Sequence, residues 1–148
     1  MVILSNFAES LLELITEHNL TPAQFSQQMD CGKGTISRYL NAKKLPTVEM
    51  LIRMADFFDC SIDYLLGREM ERYPDTFYPC PTFQERFPAL LKALNVTKYR
   101  FQKETGIAES AIYSWQSGKH KPKTENILII AKTYHCSVDF ILGRSKNL

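Results

Sequence analysis

The chain has 148 residues, 45% of them hydrophobic and 23% charged, with a formal net charge of +2. This composition argues against a disordered chain, and the length allows one medium domain or two small ones. No stretch approaches the roughly 18 apolar residues of a membrane span, and the apolar run at residues 1–4 is too short for a signal peptide, so we expect a cytoplasmic protein without membrane contact.

The first two helices are predicted from their end signals. Asn6 can cap a first helix, whose apolar residues recur at helical spacing and which should end at Asn19. Thr21 can cap a second helix, with a proline at its first position and Gln24 completing a capping box. This second helix should stop at Asp30.

A third helix is predicted from Lys33 to Leu40, after a turn that ends at Gly32. One face is apolar and contains Ile36, Tyr39 and Leu40. The opposite face carries hydrogen-bond donors and one glycine, at Lys33, Gly34, Ser37, Arg38 and Asn41. A helix divided in this way can present donors to a DNA groove, and Lys43 and Lys44 follow where phosphates would lie.

Two further helices complete this first half. Thr47 can cap a fourth helix and Ser61 a short fifth, after which Gly67 provides a left-handed stop. Helical spacing assigns Tyr39 and Phe58 to the core.

The whole five-helix pattern occurs twice. A shift of 76 residues aligns Phe7 with Phe83 and Thr21 with Thr97 without a gap, and it aligns residues 60–68 with the similar residues 136–144. The chain is therefore predicted to contain copy one at residues 1–68, a connector at 69–82 and copy two at 83–148.

The connector contains three prolines and several aromatic residues, so no regular element is expected there. Two interpretations of the aromatic residues, Tyr73, Phe77 and Tyr78, stay open. They cover an apolar seam between the copies, or they form a docking surface for another protein.

Copy two repeats the signals of copy one, with differences at Pro88 and Gly106. Thr82 can cap its first helix, but Pro88 falls inside that helix and predicts a kink or a late start. Gly106 forms the turn, where copy one has Asp30. Gly118 ends the third helix, whose Trp115 should be buried.

Both copies resemble the helix-turn-helix domain of the phage repressor and Cro family, often called the XRE family. The shared pattern in copy one is Thr21, Phe25, Ile36, Asn41-Ala42-Lys43 and Pro46. In copy two it is Thr97, Phe101, Ile112, Ser117-Gly118-Lys119 and Pro122. The resemblance implies an all-α fold of two lambda-repressor-like, five-helix helix-turn-helix domains in tandem.

The resemblance also implies which residues contact DNA. Base-reading positions of the family fall on Lys33, Gly34, Ser37 and Arg38 in copy one, and on Glu109, Ser110, Tyr113 and Ser114 in copy two. Its phosphate-contacting positions fall on Asn41, Lys43, Lys44, Lys98, Lys119 and His120.

The charges of the two copies differ. Residues 7–68 hold six basic and eight acidic groups (net −2), whereas residues 83–144 hold ten basic and five acidic groups (net +5). Glu109 can accept a hydrogen bond from cytosine N4 but otherwise repels phosphates, so we expect copy two to be less specific than copy one or not to read bases.

Other chemistry is not expected. The cysteines and histidines lack the spacing of a zinc or redox site, so we expect reduced thiols, with Cys60 and Cys136 buried and a redox role open only for Cys31 and Cys80. No catalytic set and no glycine-rich phosphate loop can be assembled, so neither enzyme activity nor a cofactor is expected.

Two functions follow. The first is a sequence-specific transcriptional regulator, most simply a repressor, that binds double-stranded DNA with two heads. The 14-residue connector would reach roughly 46 Å, more than the roughly 34 Å between successive turns of DNA. The second is a protein-interaction or antitoxin-like module with weak or no DNA binding, and self-association or a protein partner also stays open.

Overall fold

The computed structural model describes residues 2–69 and 76–146, and every regular element in those ranges is a helix. The helices of copy one are α1 Val2–Glu17, α2 Pro22–Gln28, α3 Lys33–Leu40, α4 Val48–Phe58 and α5 Ile62–Leu65. Those of copy two are α6 Phe83–Leu94, α7 Lys98–Thr105, α8 Glu109–Ser117, α9 Thr124–Tyr134 and α10 Val138–Leu142. The predicted all-α fold with five helices per copy is confirmed.

The chain divides into two compact units, Met1–Pro74 and Asp75–Leu148, and each unit contains one set of five helices. None of the helices in the described ranges is long and apolar enough to cross a membrane.

Most helix starts follow the predicted caps. The Thr21 hydroxyl accepts a hydrogen bond from the Gln24 amide at 3.1 Å, and the Gln24 side chain accepts one from the Thr21 amide at 2.8 Å. The hydroxyls of Thr47, Ser61 and Thr82 cap α4, α5 and α6, each by accepting a hydrogen bond from the amide of the third residue of its helix. These contacts satisfy backbone donors that would otherwise lack a partner at a helix start.

One predicted helix start is wrong. Helix α1 begins at Val2 and not at Asn6, since the residues between them include neither glycine nor proline to interrupt a helix. Helix α6 begins directly after its predicted cap Thr82 and continues through Pro88, so of the two predicted effects of this proline, a kink or a late start, the late start does not occur. Pro88 removes a single donor, and its ring is exposed to solvent.

Aromatic residues form much of each core. In copy one Phe25 stacks on Phe58, with ring centres 5.2 Å apart, and Tyr39 packs edge-on against Phe7. In copy two Trp115 is 2% exposed and packs against the ring of Phe87. The core positions predicted for Tyr39, Phe58 and Trp115 are confirmed, as is the burial of Cys60 and Cys136.

The last helix of each copy is joined to the segment after it by an ion pair between residues five positions apart, which was not predicted from the sequence. Arg68 donates to Asp63 in copy one, and Arg144 Nη1 donates to Asp139 Oδ1 at 2.8 Å in copy two. The two differ in burial, because the Arg68 side chain is 28% exposed and that of Arg144 only 1%.

The described end of the connector packs on copy two. The Tyr78 amide donates to the Arg144 carbonyl at 2.8 Å, and the Phe77 ring lies over the Arg144 guanidinium. We call residues 77–81 the clasp. The rings of Phe77 and Tyr78 contact Arg144 and Lys146 of copy two itself. The seam between the copies and the docking surface both stay predictions, and Tyr73 lies outside the described residues.

Candidate nucleic-acid interface

Helix α3 of copy one has one buried and one exposed face. Ile36 is fully buried and Tyr39 is 4% exposed, so these two side chains fix how the helix is rotated about its axis. The residues predicted to contact DNA from this helix and its exit loop are all exposed: Lys33, Gly34, Ser37, Arg38, Asn41, Lys43 and Lys44. The structure therefore leaves this whole predicted set exposed, with its α3 members on the face opposite Ile36 and Tyr39.

The charged groups on this face are available for a partner. Within the described part of the chain, the side chains of Lys33 and Arg38 make no hydrogen bond or ion pair. Asn41 donates through Nδ2 to the Ser37 hydroxyl at 3.2 Å, which orients both groups on the same exposed side.

Gly34 is not required by packing within the protein. A Cβ atom added there would meet no atom within 4 Å. Glycine in a helix costs about 1 kcal/mol relative to alanine, so its presence here suits the close approach of something outside the protein.

An arginine that is distant in sequence contacts the turn before α3. Asp30 takes a left-handed conformation with φ 52°, and Arg53 Nη2 donates to the Met29 carbonyl at 2.6 Å at the end of α2. Burial raises the pKa of the neighbouring Cys31 thiol, which keeps it protonated at neutral pH and disfavours thiolate chemistry. Sequence reasoning did not identify Arg53, because the arginine lies 24 residues from its acceptor.

Helix α8 of copy two offers a different surface. Ile112 and Trp115 are buried, and the opposite side carries Glu109, Ser110 and Tyr113, all exposed, with Ser114 partly buried. The Tyr113 side chain is 69% exposed, and this helix contains no lysine or arginine.

Two of the residues predicted to contact phosphates from copy two, Lys98 and His120, contact side chains of α8. Lys98 Nζ donates to Gln116 Oε1 at 3.3 Å, and the His120 ring nitrogen Nδ1 lies 3.4 Å from the Ser114 hydroxyl. Gln84 on α6 donates to the Gln116 carbonyl at 3.1 Å. Gln116 was missed, since the aligned residue of copy one is an apolar leucine and gives no polar signal.

The exit loop of copy two is strongly basic. Lys119, His120, Lys121 and Lys123 are exposed around the buried Pro122. Of these four residues, only Lys119 and His120 were predicted to contact phosphates, although the same run of charge contains the other two lysines.

Comparison with known proteins agrees with this geometry. A family model described as Helix-turn-helix matches the chain twice, at residues 11–65 and 89–141. The chain belongs to this helix-turn-helix family. The resemblance to the phage repressor and Cro type is thereby confirmed, and each copy carries one helix-turn-helix match.

Relatives of this helix-turn-helix chain match over about the length of one copy. It is 36% identical over 63 residues to the HTH-type transcriptional activator BcrR of Enterococcus faecalis, covering 43% of this chain and 31% of the relative. It is 34% identical over 59 residues to the uncharacterized HTH-type transcriptional regulator YobD of Bacillus subtilis, covering 40% and 53%. It is 33% identical over 58 residues to repressor protein C2 of Salmonella phage P22, covering 39% and 27%.

A solved structure of a transcriptional regulator from Listeria innocua is 29% identical, with a TM-score of 0.41, over 66% of this chain and 83% of that one. The chain thus spans at most about half the length of the three sequence relatives.

Proposed function

We propose that the protein is a sequence-specific DNA-binding transcriptional regulator with two heads in one chain. The observation that carries the proposal is the exposed face of α3, where Lys33, Gly34 and Arg38 lie opposite the buried Ile36. A helix with free donors on one side, followed by Lys43 in its exit loop, suits insertion into a major groove.

The two heads take different roles in this proposal. Copy one reads bases through Lys33 and Arg38, whose side chains are long enough to reach base edges and carry full charge. Copy two contributes phosphate contacts from its basic exit loop, at Lys119, Lys121 and Lys123. Because the reading residues differ between copies, the preferred site is asymmetric.

The clasp shortens the tether between the heads. With Phe77 held on copy two, only residues 69–76 can span the gap, and at about 3.3 Å per residue they reach roughly 26 Å, not the 46 Å expected from the whole connector. A domain of this size has a radius of roughly 14 Å. The tether and the radii of the two domains together exceed the distance of about 34 Å between neighbouring turns of DNA but fall short of the distance of about 68 Å between sites two turns apart. The heads can therefore bind neighbouring turns but not sites two turns apart.

We assign repression as the direction of regulation. Two heads that occupy adjacent turns exclude other proteins from that stretch of DNA, and one relative is named a repressor. Another relative is named an activator, so a promoter fused to a reporter gene provides the direct measurement. Expression that rises when the chain is supplied would reverse the assignment.

Salt dependence of binding tests the proposal. Fragments enriched from random duplex DNA should bind with an affinity that falls steeply between 50 and 200 mM salt, because phosphate contacts release counterions. Footprints should cover two adjacent turns and show no two-fold symmetry. Binding that is absent, or insensitive to salt, would contradict DNA recognition, and a palindromic site needing two chains would contradict the intrachain pair.

A second candidate function is protein binding through copy two. Tyr99 and Tyr113 are each 69% exposed, and exposed tyrosines are common in protein interfaces. Under this alternative DNA is bound weakly and a protein partner or a second chain covers these rings. Substituting both tyrosines by serine separates the functions: DNA affinity unchanged with loss of self-association or of a captured partner supports the alternative.

A further inference from the structure

A cleft in copy two lies away from the candidate DNA-binding helix. Its volume is about 390 Å³, and it is lined by Tyr78 of the clasp, Arg86 and Ala93 of α6, Phe140 of α10, and Ser145 and Lys146 of the following segment. Cavities of this size hold small organic molecules.

Arg86 is fixed at the wall of the cleft. Its Nε donates to the Ile141 carbonyl at 3.2 Å, its Nη2 donates to the Phe140 carbonyl at 2.6 Å, and its guanidinium lies over the Phe140 ring. Since a guanidinium has five N–H groups, three remain outside these two bonds. Burial also lowers the pKa of Arg86, and the nearby thiols of Cys136 and Cys80 offset part of this effect.

The second cation is Lys146, whose Nζ lies 5.0 Å from the centre of the Tyr78 ring. The lining residues include no aspartate or glutamate. The cleft therefore combines two positive groups with two aromatic rings and the small side chain of Ala93.

The internal repeat provides a comparison. Under the shift of 76 residues, Ser10 and Glu17 of copy one and Glu69 of the connector align with Arg86, Ala93 and Ser145. The aligned positions thus hold two carboxylates and a serine where copy two has a cation and two small residues. The positive character of the cleft is not a requirement of the fold.

We propose that this cleft binds a small organic anion, with a carboxylate held by Arg86 and Lys146 and a flat apolar body against Ala93 and the aromatic rings. A planar guanidinium fork suits a carboxylate, and the rings suit a flat hydrocarbon group. A DNA phosphate fits less well, because the site is concave and Arg86 faces α10, whereas Phe83 and Phe87 of the same helix contact Trp115 of α8.

Ligand binding would act on the clasp. The ligand contacts Tyr78, which is part of the clasp, and so stabilises the attachment of the clasp to copy two. This inference goes beyond the proposed DNA binding and does not depend on it.

Amide NMR titration of the full chain with naphthalene-2-carboxylate tests the site. We expect saturable shifts at Ala93, Gly143 and Ser145, with binding at least about tenfold weaker for the neutral naphthalene-2-methanol, which lacks the charge that Arg86 and Lys146 attract.

Two variants of matched size separate charge from volume. Ala93→Glu adds a carboxylate to the lining of the cleft, where it repels the anionic ligand and competes with it for Arg86 and Lys146, and it should weaken binding at least about tenfold, whereas Ala93→Gln, of nearly equal volume, should weaken it by less than about threefold. Both changes are on an exposed helix position and should leave the fold intact.

The proposal is overturned if the shifts are absent or do not saturate, if the alcohol binds as well as the acid, or if the glutamate and glutamine variants behave alike. It is also overturned if a DNA duplex shifts Ser145 and Lys146 and competes with the acid, which would make these cations phosphate contacts. Loss of DNA binding elsewhere on the protein leaves this result unchanged, so the two proposals can fail separately.

Discussion

The ring of Phe77 lies over the guanidinium of Arg144, with the arginine Cζ atom 4.0 Å from the ring centre. Arg144 is also paired with Asp139, and its side chain is 1% exposed. The equivalent Arg68 of copy one is 28% exposed. A residue of the connector thus provides part of the cover over the buried ion pair that closes copy two.

Removing this cover should destabilise copy two. Phe77→Ala is expected to lower the free energy of unfolding by about 1 to 3 kcal/mol, because a desolvated cation–π contact and buried apolar area are lost. Urea unfolding followed by the fluorescence of Trp115, the chain's single tryptophan, reports on copy two. Tyr99→Ala, at a 69% exposed ring, is the control and should change stability by less than about 0.5 kcal/mol. Equal effects would show that Phe77 provides no cover.

The exit loop of copy one contains a residue in an unfavourable conformation. Ala42 has φ 57°, whereas its counterpart Gly118 has φ 77° at no steric cost. Ala42→Gly should therefore stabilise copy one by about 0.5 to 1 kcal/mol. Thermal unfolding followed by the methyl signals of the buried Ile36 measures this. Ala23→Gly, within α2, should have the opposite sign, and destabilisation by both changes would refute the strain at Ala42.

A surface pair in copy two should make stability depend on pH. The Tyr134 hydroxyl donates to Glu104 at 2.8 Å and, together with Arg100, lowers the pKa of Glu104 below its ordinary 4.5. Because the folded pKa is lowered, this stabilisation is present above pH 4.5 and is lost as the pH falls through the folded value. Tyr134→Phe should lower the melting temperature at pH 7 more than at pH 3. A difference that does not vary with pH would exclude this coupling.

Arg38 should carry base discrimination. Its fork can contact guanine O6 and N7 together, so Arg38→Ala should cost about 1 to 3 kcal/mol on the preferred site and relax specificity there. Binding titrations on the preferred duplex and on single-base variants measure both effects. Lys132→Ala, an exposed cation on α9, should change neither. Equal weakening on every sequence would instead make Arg38 a phosphate contact.

Glu109 decides what α8 does. If copy two contacts mainly phosphates, Glu109→Lys should tighten binding to unrelated DNA and steepen the salt slope by about one unit. If Glu109 reads a cytosine, the same change should weaken only the preferred site. Glu13→Lys, with the same charge change on α1, controls for net charge. No effect on either duplex would mean that α8 does not approach DNA.

The number of helices and most of their starts could be predicted because the signals are local. A hydroxyl at Thr21 or Ser61 needs only the next three residues to cap a helix, and Ile36 and Tyr39 need only helical spacing to share a face. The same spacing placed the candidate DNA-binding residues of α3 on the exposed side.

The missed features depend on contacts between distant residues. Arg53 reaches Met29 over 24 residues and Gln84 reaches Gln116 over 32, and neither has a local pattern. The predicted start of α1 at Asn6 was wrong because the two copies differ before this point. Residues 2–6 align with residues 78–82, where Pro79 and Pro81 prevent a helix. Residues 2–6 contain no proline, so α1 starts earlier than its counterpart α6.

The clasp also determines where the chain can be divided into fragments. Proteolysis between residues 69 and 76 would leave Phe77 with copy two, so the ion pair of Arg144 and Asp139 would remain covered. A recombinant copy two that begins at Thr82 keeps all five helices but exposes that arginine to water. Measurements of its solubility and storage stability would then apply to a fragment with an uncovered ion pair, and not to the domain as it exists in the whole chain.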